Sequence, residues 1–124
     1  MPRLLLAVLW LSLCCLAMLT PGTAFPEVNA FDFQDKVIHF ICFFVQSYLW
    51  VGLGNKKMLG MGKKMRLLVS LLAFAILPGI LLETAQNIIP YRTFDWVDLS
   101  VNAFGGIFGF FIYLYRPYCK FILD

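Results

Sequence analysis

The sequence predicts an all-α membrane protein, a bundle of four transmembrane helices with both termini in the cytoplasm. Three observations predict it. Of 124 residues, 61% are hydrophobic and only 14% charged, against roughly 45–50% apolar and about 25% charged in soluble domains. The apolar residues fall into four runs, 4–20, 37–54, 67–89 and 99–115, each close to the roughly 17–25 residues that cross bilayer hydrocarbon. The basic residues gather in alternate gaps between those runs, as loop charge bias on one membrane face requires. Residues 1–124 form one domain.

The first run follows Arg3 and ends before Gly22-Thr23-Ala24. That layout also fits a secretory signal peptide with a small-residue cleavage site. The uncharged span from Leu4 to Pro26 is long for such a leader, so a retained helix is expected. The next segment, with Phe25, Phe31 and Phe33, is expected to lie on the membrane surface. The second run leads into a loop carrying Lys56, Lys57, Lys63, Lys64 and Arg66. The third contains Pro78-Gly79, and proline leaves the Phe74 carbonyl without its helical donor, which predicts a kink one turn before Glu83. The loop from Pro90 to Asp98 offers Asp95 or Asp98 as a cap for the fourth helix. In that helix Gly105, Gly106 and Gly109 permit close backbone approach, Gly105 and Gly109 forming a GxxxG.

Four crossings place Arg3, Arg116, Lys120 and the basic loop on one side, eight basic residues in all, and only Lys36 and Arg92 on the other. Glu27, Asp32, Asp35, Asp95 and Asp98 then fall outside. The net charge of +3 is therefore a matter of topology, and no nucleic-acid surface is expected. Cys14, Cys15, Cys42 and Cys119 show no CxxC spacing and read as small buried hydrophobes. No sequence feature calls for a cofactor.

The informative residues are the few polar ones inside apolar sequence. Asp35, His39, Cys42 and Gln46 recur at helical spacing on the second helix; Gly79, Glu83 and Gln86 do so on the third, and Asp98, Asn102, Gly105/Gly106 and Gly109 on the fourth. Such separations stack on one face. With a rise of about 1.5 Å per residue, His39 and Asn102 each lie roughly 6 Å inside their helix ends, and Glu83 lies at a similar depth. An ionisable group in a membrane normally faces the bundle interior with a partner. The three are expected to meet in a polar pocket open to the outside, with Arg92 folding back toward Glu83 or an aspartate.

This pattern resembles the VanZ-like family of bacterial membrane proteins. It runs Asp35-Lys36-x-x-His39-Phe40, Glu83-x-x-Gln86, Pro90-x-Arg92, Asp98, Asn102, Gly106 and Gly109, and so covers residues 35–109. The resemblance implies a multi-pass protein of the bacterial cytoplasmic membrane, within the cell envelope. The family's founding member is associated with teicoplanin resistance.

Four readings of the pocket follow. In the first, it binds a membrane lipid headgroup, a lipid-linked cell-wall precursor or an amphiphilic glycopeptide antibiotic. Lys36, Arg92 and protonated His39 hold phosphate or carboxylate, and Glu83, Gln86 and Asn102 take hydroxyl or amide groups; Asp35 and Asp98 complete the wall. In the second, His39 and Glu83 form a general acid/base pair of an envelope enzyme, although no activated nucleophile is visible. In the third, Asp35, His39, Glu83 and Asp98 hold a metal; with a single His and no HExxH motif, none is expected. In the fourth, the polar residues only lock helices together.

Overall fold

The structure, a computed structural model, describes residues 2–20, 34–90 and 93–115. Four helices are long and apolar enough to cross a membrane: α1 (Pro2–Leu19), α2 (Gln34–Lys57), α3 (Lys63–Gln86) and α4 (Trp96–Tyr115). No strand occurs among the described residues. The all-α class and the four apolar helices are as the sequence predicts, with shifted boundaries. α2 takes in Asp35 at its start and Lys56 and Lys57 at its end, and α3 begins at Lys63. Charge stops hydrophobic runs but not helical hydrogen bonding. α3 ends at Gln86 rather than at residue 89, where Ile88 N–H to Ala85 O (3.2 Å) and Ile89 N–H to Gln86 O (3.1 Å) tighten into a turn.

Contacts fix the order of the helices. Arg3 at the start of α1 reaches the Tyr48 carbonyl late in α2, and Gln86 at the end of α3 reaches Met18 at the end of α1. The helices therefore run up, down, up and down. One end of the bundle carries the basic turn between α2 and α3; the other carries Asp35, Asp95 and Asp98. Leu5, Leu16, Leu81 and Phe104 are all more than half exposed, as side chains bathed by lipid require and water-facing ones do not.

Two features set how closely the helices pack. The first is a π-helical turn, Leu71–Ile76, just before Pro78. It lies where the sequence predicts a kink: the widened turn accommodates the hydrogen bond that proline cannot make. The second is the glycine row of α4. A Cβ at Gly105 or Gly109 would land on the carbonyl oxygens of Phe40 and Phe44, one turn apart on α2, and a Cβ at Gly106 would land on the carbonyl of Ala75 in the π turn. α4 is thus clasped between α2 and α3 at backbone distance, an arrangement that supports Cα–H···O contacts. Below it, Val51, Ala75, Phe110 and Tyr113 form one buried cluster; Met18, Phe43 and Leu82 form another under α1.

Candidate functional site

His39, Glu83 and Asn102 are 2%, 1% and 0% exposed, and they approach one another where α2, α3 and α4 meet near the acidic end. Each is carried there by a named feature. Asn102 lies against Gly79, whose missing side chain leaves room; a Cβ there would stand 3.0 Å from that of Asn102. Asp95 starts α4 by accepting the Val97 N–H at 2.8 Å, the side-chain cap expected of an aspartate in that place. His39 sits one turn inside Asp35, with its ring turned to α4.

The hydrogen bonds differ from the simplest pairing. His39 Nδ1 and Asn102 Oδ1 are 2.8 Å apart. As the amide is placed, its oxygen accepts, so Nδ1 carries the hydrogen. Nε2 then faces Asp35 Oδ1 at 3.8 Å. Glu83 does not bond His39; its Oε1 accepts the backbone N–H of Asp95 at 3.0 Å. The acid/base pair read from the sequence is therefore not joined directly. Glu83 Oε2 and Asn102 Nδ2 are buried without a hydrogen-bond partner.

Lys36 closes the site toward the surface. Its ammonium bonds Asp98 and lies 3.3 Å from Asp95 and 3.7 Å from Asp35. The Asp95 carboxyl is held below its ordinary range, chiefly by the Val97 backbone N–H and further by Lys36. Lys36 is the cation of the described cluster, surrounded by three aspartates, so it is not poised to grip an anion.

Other sequence expectations need revision. Gln86 does not join the pocket: its Nε2 donates to the Met18 carbonyl at 2.9 Å, tying α3 to α1. Gln46 and Cys42 share a face of α2 with His39, yet as the helices cross they look into a crevice between α1, α2 and α3. Of the four residues considered as metal ligands, Asp35, His39 and Asp98 bring ligand atoms within 4.8 Å of one another. Glu83 is turned to the Asp95 N–H instead, and Lys36 already neutralises Asp98. Arg92, with the pairing expected of it, lies outside the described residues, as do the surface segment with Phe25, Phe31 and Phe33, and Cys119.

From the sequence Arg3 is a flanking charge of the first run and a topology signal. It is 2% exposed, donates to the Tyr48 carbonyl at 3.2 Å and lies 5.5 Å from the ring centres of both Tyr48 and Tyr113. Gly52 makes the space for its guanidinium. A sequence signal existed, in tyrosines and a glycine near the basic end, but it needs the register between α1 and α2 to be seen.

The profile of the VanZ/LLP1 family matches residues 4–120. The chain belongs to the VanZ/LLP1 family. The match takes in all four helices, including α1, which carried none of the residues behind the sequence resemblance. Searches of curated proteins and of solved structures returned no match.

Proposed function

We propose that this VanZ/LLP1 protein is a non-enzymatic multi-pass protein of the bacterial cytoplasmic membrane, with both termini inside and its acidic end outside. There it binds the polar head of an amphiphile: a lipid headgroup, a lipid-linked cell-wall precursor, or a glycopeptide or lipoglycopeptide antibiotic, with a role in glycopeptide resistance. The observation that carries the reading is the pair of unsatisfied groups at the heart of the cluster, Glu83 Oε2 and Asn102 Nδ2. A buried polar atom without a partner is unfavourable by about 1–3 kcal/mol. A hydroxyl or amide of a ligand would satisfy both. The exposed rim of Asp35 and Asp95 favours a head that also carries an ammonium group, and Arg92 would serve any phosphate or carboxylate beside it. The test is binding of a lipoglycopeptide to the full chain in lipid nanodiscs. Asp35→Asn and Arg92→Ala should weaken binding while the protein still inserts and melts normally; equal binding by both variants rejects the reading.

A second reading is favoured by the mutual pairing of Lys36 with Asp98 and of His39 with Asn102: the cluster locks helices and binds nothing. It requires Glu83→Ala and Asn102→Ala to lower the melting temperature, with no amphiphile bound by the parent protein.

A further inference from the structure

We infer that the crevice between α1, α2 and α3 is a lipid site, holding an acyl chain of an anionic diacyl phospholipid whose phosphate lies at the basic end of the bundle. This site is separate from the acidic-end cluster: it is walled by α1, which gives that cluster no side chain, and it does not rest on the reading proposed above.

The crevice has a volume of about 420 Å³ and is lined almost wholly by apolar side chains, among them Leu11, Phe74, Leu77 and Leu82. A groove of that character in lipid is complementary to hydrocarbon. Two polar residues interrupt it. Gln46 is 5% exposed and its Oε1 has no partner; the Nε1 of Trp50 has none either. Both line the crevice. Inside a bilayer there is no bulk water to satisfy such groups, so their place in an apolar wall calls for a ligand that is mostly hydrocarbon but carries hydrogen-bonding groups at one level. The ester carbonyls at the head of a diacyl lipid are such groups. Gln46 and Trp50 are four residues apart on α2, so their amide and indole stand on one face, about 6 Å apart along the axis.

Charge fixes which lipid. Seven residues beyond Trp50, about 10 Å along the helix, α2 ends in Lys56 and Lys57. Lys63, Lys64 and Arg66 follow at the start of α3, with no acidic residue from 55 to 66. Arg66 Nε has no partner. A lipid whose esters sit at Trp50 places its phosphate within reach of these side chains, which extend toward the interface as long cationic side chains do. A net negative headgroup is favoured there by about 1 kcal/mol for each nearby basic residue.

Native mass spectrometry of the full chain released from detergent tests the site, with phosphatidylglycerol or phosphatidylcholine of identical chains titrated in. The expected result is one phosphatidylglycerol per chain, bound about tenfold more tightly than phosphatidylcholine, equivalent to about 1.4 kcal/mol. Ala73→Phe, which fills the crevice, should abolish binding of both lipids. Gln46→Leu with Trp50→Phe, which keeps the volume and removes the polar groups, should weaken both. Lys57→Gln with Lys64→Gln should erase only the preference. Melting curves without lipid identify variants that fold; if Ala73→Phe does not, the Gln46/Trp50 variant carries the test. Equal affinity of the parent for the two lipids, undiminished binding by a folded crevice variant, or a lipid-free dimer in place of the adduct overturns the proposal.

Discussion

Two buried ionisable side chains, His39 and Arg3, sit at opposite ends of the bundle and are held by different means. His39 is met by another side chain, the Asn102 amide, with Asp35 behind it. Arg3 is met by a backbone carbonyl and two tyrosine rings. A side-chain amide can be removed by one substitution, whereas a backbone carbonyl cannot. The acidic end is therefore chemically tunable, and the basic end owes its arginine site to fold geometry. The glycine row of α4 lies between the two and holds both in register.

Substitutions distinguish the two ends. The largest effect is expected at Gly106, which separates the two ends. Gly106→Val puts a branched side chain onto the Ala75 carbonyl, and overpacking of a tight contact destabilises by about 1–3 kcal/mol or more. Gly60→Ala, with nothing near its added carbon, should melt as the parent does. Thermal unfolding in detergent separates the two; equal melting temperatures would show that the close approach is not needed.

Arg3→Ala comes next, with an expected loss of about 2 kcal/mol from the desolvated cation–π contacts. Arg3→Lys should restore little of it, because a lysine lacks the planar fork that stacks on rings and reaches a carbonyl together. Full rescue by lysine would mean that charge alone matters at this end. Asn102→Ala should be milder, within the roughly 0.6–2 kcal/mol of interhelical hydrogen bonds in membranes. It should also move the NMR resonances of the His39 ring, whose Nδ1 faces the Asn102 amide, which no substitution at Arg3 should do.

The smallest effect concerns Asp95. Its carboxyl is depressed in the folded protein, so its stabilising contribution is complete above the ordinary carboxylate range and is lost as pH falls through the lower folded value. Asp95→Asn should remove that part of the acid sensitivity and leave the melting temperature at neutral pH slightly lower. An unchanged acid profile would place the sensitivity elsewhere in the cluster.

How much of this was legible in the sequence depends on what each residue needed. Helix number came from apolar runs, which a bilayer dictates directly. The approach of His39, Glu83 and Asn102 followed from depth and helical face, which are properties of single helices. Gln86 was misplaced because its partner is the Met18 carbonyl, and the lateral position of α1 leaves no periodic trace. Arg3 was missed for the same reason, since its burial depends on how α1 lies against α2. Pro78 marked the site of irregularity, but not that a π turn would absorb it. The crevice is lined from three helices and so arises only when they are assembled.

That π turn has a consequence for the tolerance of α3 to length changes. A widened turn is in effect one surplus residue in an otherwise regular helix. Deleting a residue within Leu71–Ile76 would restore ordinary winding and keep Glu83 in phase with Leu67. A deletion between Pro78 and Glu83 would instead swing the carboxylate around the axis by about 100° relative to the segment before it. The same one-residue change would be forgiven at one point of the helix and ruinous a single turn further on.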